Sequence, residues 1–73
     1  MRAKIRLDTM SDIRTFVSSA STADCEVLLT DGNNLTVSAK SMLGAIYAME
    51  WGDVYCECKK EIYHLIRDFI IEE

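Results

Sequence analysis

The sequence predicts an α+β fold, with one β-sheet covered on its apolar face by helices in a two-layer open sandwich. Runs at 3–7, 24–30, 35–39 and 53–58 alternate apolar and polar residues, the period of half-buried strands. Stretches at 11–20, 41–49 and 60–71 repeat apolar residues at helical spacing. A sheet with one apolar face needs a cover, and the interleaved helices supply it. With 73 residues, the chain forms a single domain, 1–73, and buries only about 60% of its extended surface.

Each element follows from its residues. In "AKIRL", Ala3, Ile5 and Leu7 take one face and Lys4 and Arg6 the other. In "DTMSDIRTFVSSAS", Ile13, Phe16, Val17 and Ala20 form an apolar stripe. Thr9 followed by Asp12, or Ser11 itself, is a start signal for that helix. "DCEVLLT" places Cys25, Val27 and Leu29 on one side, "DGNN" has turn chemistry, and "LTVSA" returns as the second arm of a hairpin with a loop of several residues. "KSMLGAIYAM" reads as a helix capped by Ser41. After the break at Gly52, "DVYCEC" turns Val54, Cys56 and Cys58 inward and Tyr55 and Glu57 outward. "KKEIYHLIRDFIIEE" closes the chain as a helix near 60–71, with Ile62, Leu65, Ile66, Phe69 and Ile70 as its stripe. The order is β-α-β-β-α-β-α. The expected core is Ile5, Phe16, Val17, Val27, Val37, Ile46, Val54, Cys56, Leu65, Ile66 and Phe69.

Composition excludes several classes. Half the residues are apolar (49%), so disorder is not expected. Twelve acids against eight bases give a net charge of −4, unlike the basic stripe of a nucleic-acid surface or an anionic-membrane binder. No apolar run approaches a membrane span, and the first residues lack an apolar signal core, so a cytoplasmic protein is expected. The three cysteines are an odd set, and with one histidine they are a thin supply for zinc. They read as buried thiols in a reducing compartment. No Gly-rich phosphate loop or catalytic constellation is visible, and "DGNN" is not a calcium loop. The expectation is therefore a protein that is not an enzyme, without metal or cofactor, and monomeric.

Two segments invite a functional reading. Ser41 is an N-cap by position, and phosphate there would add about −1.5 to −2 charges beside Lys40. Behind it, Met42, Leu43, Ile46 and Tyr47 cannot all be buried by one short helix, so one or two stay exposed and suit a partner protein. Trp51 reads as a plug at the core edge, with extension of the patch as the alternative. His64 lies opposite the apolar stripe of its helix and reads as a surface residue.

"VSAKSMLGAI" resembles the segment around the regulatory serine of the HPr phosphocarriers of bacterial sugar phosphotransferase systems. In that family a Lys-Ser pair is followed by two apolar residues, a glycine and more apolar residues. Ser41 falls on the serine and Gly44 on the glycine. "TFVSSAS" resembles the family's first helix and "DVYCEC" its fourth strand, while the segment between the second and third helices is shortened. The resemblance implies a βαββαβα sandwich with four antiparallel strands and three helices on one face. It also implies phosphorylation of Ser41 by a serine kinase, and docking of protein partners such as a transcriptional regulator. The departure is at the carrier site, where the family has a histidine, an alanine, an arginine and a proline before its first helix. Thr9 takes the histidine position, and Ser11 and Asp12 those of arginine and proline. A carboxylate in the first helical turn repels a second anion. The expectation is a histidine-lacking, non-catalytic regulatory module. A phosphocarrier with an unrecognised acceptor, or a scaffold unrelated to sugar transport, stands as the alternative.

Overall fold

The computed structural model describes residues 1–72. Its elements are β1 (Arg2–Ile5), α1 (Met10–Ser21), β2 (Val27–Thr30), β3 (Thr36–Ser38), α2 (Met42–Ala48), β4 (Val54–Cys58), α3 (Tyr63–Ile66), a single 3₁₀ turn (Arg67–Phe69) and β5 (Ile70–Glu72). The strands form one antiparallel sheet in the order β3-β2-β4-β1-β5.

Register sorts the two faces. Ala3 and Leu29 both stand opposite Cys56, Val27 opposite Cys58, and Ile5 opposite Val54. This inward set joins Ile13, Phe16, Val17 and Ala20 of α1, Ala45 and Ala48 of α2, and Ile66 of α3 in one core. The outward set is polar and locally paired. Arg2 Nε lies 3.3 Å from Glu57, its guanidinium covers the Tyr55 ring at 4.5 Å, and Lys4 Nζ meets Asp53 at 3.1 Å. Tyr55, expected outward, is thereby half-buried.

The hairpin loop is built as its composition predicts. Asp31 Oδ1 accepts from the N–H groups of Asn33 (2.8 Å) and Leu35 (3.1 Å), a side-chain mimic of a backbone turn. Gly32 has φ +83°, a left-handed conformation that glycine adopts without steric cost.

The segment after β4 corrects the expectation of a helix near 60–71 and of four strands. Helical structure ends in the 3₁₀ turn, and Ile70–Glu72 pairs with β1, Ile5 opposite Ile70 and Lys4 opposite Glu72. The Arg6 N–H donates to the Phe69 carbonyl at 2.9 Å, starting the ladder. With β4 on one side only, β1 would leave a row of backbone donors and acceptors unpaired on the other. Ile70 and Ile71 are β-branched and suit a strand. Pairing at that edge overrides the 3.6-residue pattern.

The core is smaller-grained than expected. Ile5, Phe16, Val17, Val27, Cys56 and Ile66 are buried, but Val37, Ile46, Val54, Leu65 and Phe69 are only partly buried at its margin. Their places at the centre are taken by Ile13, Leu29 and Ile62, and by the alanines Ala39, Ala45 and Ala48.

Candidate functional site

The turn leading into α2 has an acceptor for each N–H from Ala39 to Ser41. Ser38 Oγ accepts from the Lys40 N–H (3.1 Å), and the Ser38 carbonyl accepts from the Ser41 N–H (3.2 Å). Ala39 is buried and ties the turn to β2 through its N–H and the Val27 carbonyl at 2.9 Å. Ser41, in extended backbone conformation, caps α2: its Oγ accepts from the Gly44 N–H at 3.1 Å.

Gly44 sits at a close approach. A Cβ there would lie 3.0 Å from the Ser38 carbonyl oxygen and 3.2 Å from Val37 Cβ. α2 therefore sits directly on β3, with Ala45 and Ala48 as its buried residues. Small residues on the inner side leave the large apolar ones outside. Leu43 is 81% exposed, Tyr47 50% and Met42 36%. Leu43 and Tyr47 are one turn apart on the same face. Ile46 is half-buried against the core, as is Trp51, whose ring meets Tyr47 edge-on at 5.6 Å. Trp51 thus serves the core edge and supports the exposed patch together.

Lys40 is exposed, and its ammonium donates to the Ala23 carbonyl at 2.7 Å. Pairing with a phosphate on Ser41 would require it to leave that bond.

The start of α1 is a second, closed constellation. Thr9 Oγ1 accepts from the Asp12 N–H at 3.0 Å, and Asp12 Oδ2 accepts from the N–H groups of Thr9 (3.2 Å) and Asp8 (3.0 Å). This reciprocal cap uses Thr9, not Ser11, which is exposed. The depression beside it is lined by Asp8, Asp12 and Asp68 with Arg6 as its cation, so carboxylates outnumber bases where an anion would sit. Thr9→Ala should cost about 1 kcal/mol of stability, read as a shift in the urea midpoint with an unchanged slope.

The cysteines are free thiols. Cys56 and Cys58 are buried, but Cys25 is only half-buried, a correction to three enclosed thiols. Burial, and after it the neighbouring Cys58, pushes the Cys56 thiol up from 9.0 to about 12. The folded state thus holds that proton more tightly than the unfolded state does. This contribution to stability is complete below pH 9.0 and is lost as the pH rises toward about 12. Cys56→Ala should flatten the alkaline fall in stability measured by denaturant titration across that range.

His64 is exposed on α3, as its helical position predicts. Among the described residues, no group of three or more His, Cys, Asp or Glu side chains is placed to hold a metal ion, and no helix is long and apolar enough to cross a membrane. Sequence reasoning missed the close approach at Gly44 and the Tyr47–Trp51 pair. The first depends on where α2 lands, which no local pattern encodes, whereas the i, i+4 spacing of Tyr47 and Trp51 was a local signal for the second. Comparison of the chain with protein-family models, curated proteins and solved structures finds no match.

Proposed function

We propose that the chain is a histidine-lacking, HPr-like regulatory module that works without catalysis, in the cytoplasm, by docking a protein partner on α2. The observation that carries this reading is the apolar patch of Met42, Leu43 and Tyr47 beside Lys40 and Ser41. Large apolar side chains stand outside on a helix whose inner side is built of glycine and alanine, the reverse of what folding alone favours. The element order through α3 and the single antiparallel sheet support the family resemblance. The fifth strand stands outside the family's pattern. The cap at Thr9 and Asp12 supports loss of the carrier function, since it occupies the Thr9 and Asp12 N–H groups and sets a carboxylate where a phosphate would sit.

Ser41 is the switch in this reading. Its phosphorylation by a serine kinase would set a dianion beside Met42 and Leu43 and change which partner can dock. The partner would be a regulator presenting an apolar recess. The test has two parts. Incubation with a phosphotransferase-system serine kinase and ATP should phosphorylate the parent chain and leave Ser41→Ala unmodified. Incubation with phosphoenolpyruvate and the family's first enzyme should give no acid-labile phosphate; its appearance would restore the carrier reading.

The patch is tested separately. Leu43→Asp should weaken binding of a titrated regulator at least about tenfold. Its side chain is exposed, so stability should stay within about 0.5 kcal/mol of the parent. Unchanged affinity would remove α2 from the interface.

A further inference from the structure

We propose that Cys25 and Cys58 form a reversible dithiol–disulfide pair that staples the turn between α1 and β2 to the end of β4. Their sulfurs lie 2.8 Å apart, although the residues are 33 positions apart in sequence. A covalent S–S bond is roughly 2.05 Å, so under an ångström of approach separates the two states. The contact is positioned by the sheet. Val27 is in register with Cys58, which brings the residues just before β2 alongside the residues just after β4. Asp24 and Lys60 make a 2.9 Å ion pair across the same gap and hold the two segments together.

Access is the second argument. The pair opens on a surface groove of about 420 Å³, with Glu26, Leu28, Glu57 and Lys59 also in its walls. Cys25 is half-buried there, so a small reagent can reach it, whereas Cys58 is buried. This gives the two thiols different roles, Cys25 as the attacking group and Cys58 as the resolving one. Cys56, fully buried in the core, is left out.

The oxidant is a low-molecular-weight disulfide of the glutathione class. The Cys25 thiolate attacks one sulfur of the reagent, whose S–S bond breaks and releases one small thiolate. The Cys58 thiolate then attacks Cys25 Sγ in the mixed disulfide, and the second small thiolate leaves. Two protein thiols are oxidised by two electrons, one reagent disulfide is reduced to two thiols, and the two protons end on those thiols. Excess small thiol runs the exchange backwards. The stapled turn is the one whose Ala23 carbonyl holds Lys40.

The test uses the full chain, first reduced and then exchanged into glutathione disulfide. The expected product is a monomer lighter by two hydrogen atoms. Peptide mapping should join Cys25 to Cys58, and Cys56 should be alkylated only after denaturation. Its thermal midpoint should rise by roughly 10 °C, because the bond restricts the unfolded chain, and should return with dithiothreitol. Cys56→Ala should form the same link. Cys25→Ser, altered at a half-buried site, should stop without the mass loss. The proposal is overturned if the parent chain stays a dithiol, halts as a glutathione adduct, links through Cys56 or links between chains. It is equally overturned if Cys25→Ser still loses two hydrogens.

Discussion

Phe16→Ala should be the most damaging single substitution in the sheet-facing core, costing about 3–5 kcal/mol. Phe16 is fully buried in α1 and meets Phe69 edge-on, with ring centroids 5.5 Å apart and planes at 87°. Truncation removes the largest fully buried side chain and leaves a cavity that the helix, sheet and 3₁₀ turn cannot all collapse into. A 73-residue domain has a total stability of roughly 4–11 kcal/mol at the usual value per residue. The variant should therefore lose roughly 20 °C in thermal midpoint and populate the unfolded state measurably at ambient temperature. Phe69→Ala, altered at a partly buried site, should cost less. The double variant should show a coupling of about 1 kcal/mol for the aromatic contact itself. Calorimetry or circular dichroism melts check all three. Equal losses for Phe16→Ala and Phe69→Ala would contradict the burial difference between them.

Gly44→Val should cost about 3 kcal/mol and, with it, the geometry of the α2 surface. Its Cβ would press on the Ser38 carbonyl oxygen at 3.0 Å and on Val37 Cβ at 3.2 Å. That oxygen cannot retreat freely, because it already accepts the Ser41 N–H and so holds the cap in place. The remaining outlet is for α2 to rise off β3, which carries Leu43 and Tyr47 with it. The helix would gain about 1 kcal/mol from Gly44→Ala by propensity alone, so that variant should fall near the parent as contact cost and propensity offset each other. Gly52 is the control. A Cβ there meets nothing within 4 Å, so Gly52→Ala should be neutral or stabilising by roughly 0.5 kcal/mol. Urea titrations of the three variants give the order directly. If Gly44→Val proved as tolerable as Gly52→Ala, the seating of α2 on β3 would be refuted.

Local periodicity alone determined the kinds of element as far as Ile66. The alternation of Ala3 and Ile5, of Val27 and Leu29, and of Cys56 and Cys58 places each pair on one face whatever the strand order. The spacing of Ile13, Phe16, Val17 and Ala20 gives α1 one apolar stripe, which the fold keeps as the buried face of a helix. Caps were also legible, because Thr9–Asp12 and Ser41 bond within their own turn. Tertiary structure decided what depends on a distant partner. Ile70 fits a helical stripe or a strand equally well, and only the open edge of β1 selects the strand. Which of Met42, Leu43, Ile46 and Tyr47 would face outward was undetermined until Gly44, Ala45 and Ala48 set α2 against β3. Cys25 and Cys58 each read as an inward thiol, and their contact arises only because β4 lies beside β2. Hydrogen-bond partners within a few residues are written in the sequence, whereas pairing between distant segments is settled by which backbone edges and apolar faces remain uncovered when the chain closes.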